Sequence, residues 1–247
     1  MRAYNLTMIS RFHFPDVLPD GGELALPESI AHHALRVLRL HDGDALVLFD
    51  GSGVEVDATL VVRGKQGFAR LGTRRCPERE SPLKVVLVQA LASGDKMDWI
   101  VQKAVELGAS GVIPVQAERS VLRLTGERAD KRHAHWQQVA VAACEQCGRN
   151  VVPQIEPILP LATYLQVSVD VARCVLAPEA SSALTEVPRP ADALHLLIGP
   201  EGGWSDAEMA MFSRAGVNAV GLGPRVLRTE TAGLAALAAL QARWGDF

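Results

Sequence analysis

The chain has 247 residues, 48 % of them hydrophobic, and a formal net charge of −3, enough apolar material for one large core or two small ones. No stretch approaches the roughly 18 apolar residues of a membrane span, and MRAYNLTMISRFHF has neither the apolar run nor the small-residue cleavage site of a signal peptide, so a soluble, cytoplasmic protein is expected. Four cysteines are too few for a disulfide framework at this length, and the negative charge confines any phosphate binding to local basic patches.

In chain order, the first such patch is ESIAHHALRVLRL, where His32, Arg36 and Arg39 are spaced four and three apart and share one face of a helix, with Leu35 and Leu38 turned toward a core. A plain solvated helix face is the competing reading. The runs DALVLFD, VEVDATLVV and FARLG, separated by GSG and RGKQG, then read as strands of a small β-rich domain over residues 1–73. Residues 74–82, charged, proline-bearing and without periodicity, read as a linker. The second domain is expected over 83–247.

There the pattern alternates as a largely parallel α/β sheet demands. The strand candidates are LKVVLVQAL, GVIPV, ARCVLA, ALHLLIG and VNAVGLG. In GDKMDWIVQKAVELG, Met97, Ile100, Val101, Ala104, Val105 and Leu107 form a core face, leaving Lys96, Lys103 and Glu106 as ordinary solvated residues. Arg119 lies just past a strand end, where a phosphate-binding group can project. His133, His135, Cys144 and Cys147 have the look of a zinc set, but on one helix His133 and Cys144 stand about 16 Å apart, so no metal is expected.

Two segments carry chemistry. LHLLIGPEGGWSDAE is a strand, a glycine-rich turn and a helix opened by the Ser205–Glu208 capping box, with Gly216 at its end; the turn is either a ligand loop or a purely structural one. GLGPRVLRTETAGLAAL again follows a strand, clusters Arg225, Arg228 and Glu230, and offers Thr229 or Thr231 as a helix cap. If their strands are sheet neighbours, the two loops wall one pocket. The last helix spaces Leu234, Leu237, Gln241 and Trp244 for packing against a core or a second subunit.

IGPEGGWSDAE, LGPRVLRTETA, GDKMDWIVQKAVELG, the ERSV and EQCGR segments, and the N-terminal RFHF and AHHALRVLRLHDGDALVLFDGSG together resemble the RsmE family of 16S rRNA (uracil-N3) methyltransferases, a branch of the SPOUT superfamily. Trp204, Val226 and His13 are departures, standing where Phe, Ile and an aromatic or apolar residue are usual. The resemblance implies an α/β protein: an N-terminal PUA-like β-barrel domain that binds RNA, then a SPOUT domain ending in a trefoil knot, assembled as a homodimer on the small ribosomal subunit. It implies an S-adenosyl-L-methionine site at Leu176, Pro178, Glu179, Ile198, Gly199, Pro200, Glu201, Gly202, Gly203, Leu222, Gly223, Leu227, Thr229, Thr231 and Ala232. RNA contacts are expected from Arg11, His32, Arg36, Arg39, Arg119 and Arg225. Transfer to a uracil N3 needs a proton removed and an anion stabilised, which makes Arg228 the candidate cation and Glu230 or a water the proton acceptor. The rivals are a SPOUT enzyme acting on a ribose 2′-hydroxyl and a non-catalytic RNA-binding assembly factor.

Overall fold

The structure is a computed structural model, and it describes residues 9 to 167 and 171 to 247. The reading of the extreme N-terminus for a leader therefore lies largely outside the described residues. The chain divides into two compact units. One takes the described residues up to Glu80 together with Cys144–Val152; the other takes Ser81–Ala143 and Pro153–Phe247. The segment around EQCGR, which sequence alone assigns to the second domain, thus belongs with the first.

The first unit holds strands β1 (Ser10–His13), β2 (Glu23–Ala25), β3 (Ala45–Phe49), β4 (Glu55–Arg63) and β5 (Gln66–Arg75). The last of these carries Arg74 and Arg75, which had read as linker. The sheet order is β1-β3-β4-β5-β2, with β1 and β3 parallel and the other pairs antiparallel. Among the described residues this path is open, with β1 and β2 as its edges. Alternation along β4 buries Val56, Ala58 and Leu60 against Phe12, Leu46, Leu48 and Ala69. A two-residue hairpin joins β4 to β5, and Gly64 there takes φ +65°, the left-handed value such a turn requires.

Between β2 and β3, helix α1 (Glu28–His32) widens into a π-helical turn, His33–Val37. Arg39 follows with φ +56°. The chain has left the helix by that point, so the expected three-residue stripe is broken. Leu35 packs on the core as expected, but Leu38 is exposed. The shift from 3.6 to a wider turn is what defeated the spacing argument.

The second unit is one parallel sheet of β6 (Lys84–Ala90), β7 (Gly111–Gln116), β8 (Gln154–Ile155), β9 (Leu159–Pro160), β10 (Ala172–Leu176), β11 (Ala193–Ile198) and β12 (Asn218–Val220). Its order is β12-β10-β11-β6-β7-β8, and β9 also pairs with β7. The helices are α2 (Lys96–Glu106), α3 (Glu127–Cys147), α4 (Leu161–Gln166), α5 (Asp206–Arg214) and α6 (Thr229–Trp244). Strand β6 is nearly continuous in apolar residues because both faces are covered, as parallel sheets require. Helix α2 buries Met97, Ile100, Val101, Ala104 and Val105, the anticipated face without Leu107. In α5, Ser205 and Glu208 close the capping box and Gly216 takes φ +67° just beyond the end. The start of α6 differs from expectation: Arg228 is its N-cap, and no threonine side chain caps it.

At the end of β12 the chain is closely surrounded. Val220 O accepts from Ala177 N at 3.0 Å, Gly221 N donates to Ser182 O at 2.8 Å, and Gly221 O accepts from Leu184 N at 2.8 Å. A side chain at Gly221 would meet the carbonyl oxygens of Ala180, Ser182 and Ala177 at 3.6 to 3.9 Å. The segment leaving β12 therefore runs against backbone of the loop after β10.

Candidate cofactor cleft

All strands of the second unit run parallel, so the loops after β10, β11 and β12 emerge at one edge. β11 and β12 do not meet the condition of being sheet neighbours; β10 lies between them and adds a third loop. Residues 176–178, 198–204, 222–223 and 225–230, with Lys96 and Ala232, enclose a cavity of about 600 Å³.

Of the residues expected there, Leu176, Pro178, Ile198, Gly199, Pro200, Glu201, Gly202, Gly203, Leu222, Gly223, Leu227, Thr229 and Ala232 line this cavity, together with Arg228 and Glu230. Glu179 and Thr231 do not line it; both are exposed, and the amide of Thr231 is used in the turn that closes on Arg228 O. Arg225, expected as an RNA contact, lines the cleft as well.

Lys96 and Trp204 were missed. For Lys96 a signal existed: it follows the SGD turn at the carboxyl end of β6, the same edge from which every other loop of the site comes. The helix pattern had hidden it, because an exposed lysine in a first helical turn looks ordinary.

The turn after β11 is held from several sides. Gly203 takes φ +67°, with its amide donating to Pro200 O at 2.9 Å. A side chain at Gly199 would lie 3.3 Å from the Trp204 indole. That indole packs edge-on against Phe212, centroids 4.9 Å apart, and its Nε1 is buried without a hydrogen-bond partner. Glu201 turns away toward the loop after β6, accepting from Ser93 N at 2.9 Å, Ser93 Oγ at 2.7 Å and Lys96 Nζ at 3.1 Å. Burial pushes the Glu201 carboxyl upward, but these donors outweigh it and bring it down to about 2. Lys96 is raised in turn, first by its bond to Glu201. Its Nζ also lies 3.5 Å from Glu230 Oε2, an atom buried without a hydrogen-bond partner.

The remaining candidates are placed elsewhere. Arg119 donates to Gly202 O and Trp204 O, each at 3.2 Å, and so braces the glycine turn from outside. In the first unit Arg11 is enclosed: it pairs with Glu55 at 2.8 Å, bonds Asn150 Oδ1 at 2.5 Å and sits over the Phe49 ring. That carboxylate is nearly buried, so Arg11 holds the unit together rather than presenting charge to a ligand. His32 and Arg36, with Lys65 and Phe68, line a second concavity of about 690 Å³ between α1 and the β4–β5 hairpin; Arg39 is not part of it.

The suspected zinc residues lie along α3 as anticipated. His133 bonds Ile155 O at 2.7 Å, His135 bonds Asp98 at 2.7 Å, and burial pushes the Cys144 thiol up to about 12. Among the described residues no three His, Cys, Asp or Glu side chains are gathered to hold a metal, and no helix is long and apolar enough to cross a membrane.

Comparison with known proteins defines the class. Residues 79–241 match an RNA methyltransferase domain, and residues 26–69 match an RNA methyltransferase PUA domain. The fold is accordingly α/β with an N-terminal PUA-like domain.

Ribosomal RNA small subunit methyltransferase E of Bacillus subtilis is 37 % identical over 85 % of this chain and 86 % of its own length. That of Mycobacterium tuberculosis is 33 % identical over 96 % and 94 %. A crystal structure of ribosomal RNA small subunit methyltransferase E from Neisseria gonorrhoeae bound to S-adenosyl methionine superposes with a TM-score of 0.90 at 40 % identity, covering 97 % of this chain and 99 % of that one. A Legionella pneumophila methyltransferase in complex with SAM gives 0.93 at 36 % identity, with the same coverage. The chain belongs to the ribosomal RNA small subunit methyltransferase E family.

Proposed function

We propose that the chain transfers a methyl group from S-adenosylmethionine to N3 of a uridine in 16S ribosomal RNA, acting on the small ribosomal subunit in the cytoplasm as a homodimer. The observation that carries this reading is the convergence of three strand-end loops on one cleft that brings Arg228 and Glu230 beside a glycine turn. The cleft suits the cofactor: its size matches a nucleoside-sized ligand, the glycines let a ligand reach backbone amides, and the buried Trp204 Nε1 is a donor in need of an acceptor. A trefoil knot at the carboxyl end is part of this reading and rests on the resemblance of the LGPRVLRTETA segment to the family.

When bound, S-adenosylmethionine supplies an electrophilic methyl on a sulfonium sulfur. The chain's own residues do the rest. Arg228, at the cleft, donates hydrogen bonds to a uracil oxygen and favours the N3 anion. Glu230, which lines the cleft beside Lys96, or a water receives the N3 proton. The apolar surface of Leu176, Ile198 and Leu227 excludes water from the transfer. His32, Arg36 and Lys65 hold RNA phosphates at the concavity between α1 and the β4–β5 hairpin.

Mass-spectrometric mapping of modified uridines in small-subunit RNA, with and without this protein, tests the reading. A 3-methyluridine that disappears with the protein is expected. A missing 2′-O-methyl group instead would move the reaction to the ribose.

A further inference from the structure

We infer that Gln89 is a positioning residue for the cofactor cleft, its carboxamide setting the register between the start of α6 and the glycine turn; this rests on the cleft being the S-adenosylmethionine site. Gln89 is the one polar residue inside β6 after Lys84, and it is 0 % exposed. A buried carboxamide is costly unless bonded. Its Nε2 donates to Ala90 O at 2.9 Å and to Thr229 Oγ1 at 3.0 Å, while Thr229 gives its single hydroxyl proton to Gly199 O at 2.6 Å.

These bonds allow only one orientation. With the Thr229 proton committed to Gly199, the hydroxyl oxygen can only accept, and so can the carbonyl of Ala90. Both need the amide NH2 facing them. The consequence is that Gln89 Oε1 is buried with no hydrogen-bond partner among the described residues. Two residues earlier on the same face, Leu87 lies close to Gly233 of α6, so an apolar side chain is readily housed there. An apolar side chain there would forgo the bonds to Ala90 and Thr229 but leave no acceptor unsatisfied, two effects of similar size, so stability gives little preference for an amide at 89. What the amide does is tie the end of β6 to the Thr229 hydroxyl, which in turn ties the first residue of α6 to Gly199, the first residue of the glycine turn. Gly199 and Thr229 both line the cleft, and Arg228 and Glu230 flank Thr229. The chain of bonds thus fixes how far the methyl-transfer residues stand from the glycine turn.

Calorimetric titration of S-adenosylmethionine into Gln89→Leu, Thr229→Val and the double variant, with the unfolding midpoint of each, tests this. Each single variant is expected to bind about tenfold more weakly or worse, with the double variant no weaker than the poorer single one, since both act through one bond. Gln89→Leu is expected to keep its unfolding midpoint, because removing an unsatisfied buried acceptor offsets the lost bonds. Binding within about twofold of the unsubstituted chain in either single variant, or losses that multiply in the double variant, would overturn the inference. Failure of the unsubstituted chain to bind would overturn the reading of the cleft itself.

Discussion

Residues 199–204 and residues 222–228 wall the same cleft, yet they are held very differently. The first wall is anchored through Glu201 to Ser93 and Lys96, through Arg119 to two of its carbonyls, through Gly199 to Thr229, and by Trp204 on Phe212. Among the described residues the second is anchored at its ends, by the bonds of Gly221 and by the closing turn at Arg228; between them residues 223–226 are exposed, Val226 to 80 %. A preorganised wall meets the cofactor without further ordering, which is where binding energy is retained. A loosely held wall that carries Arg225 and Arg228 can adjust to an incoming RNA base. The proposed division gives the first wall mainly to cofactor recognition, and the second, which also lines the cleft through Leu222, Gly223 and Leu227, to the chemistry of Arg228.

The largest expected effect tests that division. Arg228→Ala should lower the single-turnover methylation rate at saturating cofactor by about 10²-fold, the usual consequence of removing one donor to a developing anion. Calorimetry should show cofactor affinity changed by no more than about twofold. A parallel collapse of affinity would erase the division.

Next come the glycines. Gly203→Val forces a branched residue to φ +67°, at about 1–2 kcal/mol, and should weaken cofactor binding roughly tenfold. The space a side chain would enter there is open, so the penalty comes from the backbone and not from a clash. Gly223→Val imposes the same strain at φ +75° on the freer wall, which can relax, and a loss below about threefold is expected. Equal losses at the two positions would show the walls to be alike.

Arg225→Ala should weaken binding to 16S RNA fragments a few-fold and reduce the salt slope by about 1, with cofactor affinity unaltered. An unchanged slope in a filter-binding titration would remove Arg225 from the RNA contacts.

The smallest effect concerns acid. Because the Glu201 carboxyl lies at about 2 against an ordinary value of 4.5, it contributes stability that is complete above the ordinary value and lost as pH falls toward 2. The unfolding midpoint of the unsubstituted chain should therefore drop between about pH 5 and pH 2, and Glu201→Gln should flatten that drop by about a few degrees. An identical pH profile in both would mean that the Ser93 and Lys96 bonds do not hold the turn.

Much of the fold was readable because its signals are local. The five long apolar runs of the second unit became strands β6, β7, β10, β11 and β12, and the capping box at Ser205 starts α5 where expected. The short edge pieces β1, β2, β8 and β9 were missed, since two to four residues carry no periodicity. The site was legible where glycines and strand ends mark it. It was illegible where long-range pairing decides a residue's use. Arg11 is a surface arginine by composition, but Glu55 and Asn150 draw it inward; Lys96 lies on the polar side of an amphipathic helix, but Glu201, 105 residues away, turns it to the cleft. Spacing also presumes a regular helix, which is why the π-helical turn at His33–Val37 took Arg39 off the face of His32 and Arg36.

The most direct measurement is transfer of an isotope-labelled methyl group from S-adenosylmethionine to small-subunit particles by the purified protein, with the product nucleoside resolved by mass spectrometry. Label recovered as 3-methyluridine in 16S RNA, and lost with Arg228→Ala, is the expected result. Label on a ribose or another base, or no transfer from a protein that binds the cofactor, would contradict it.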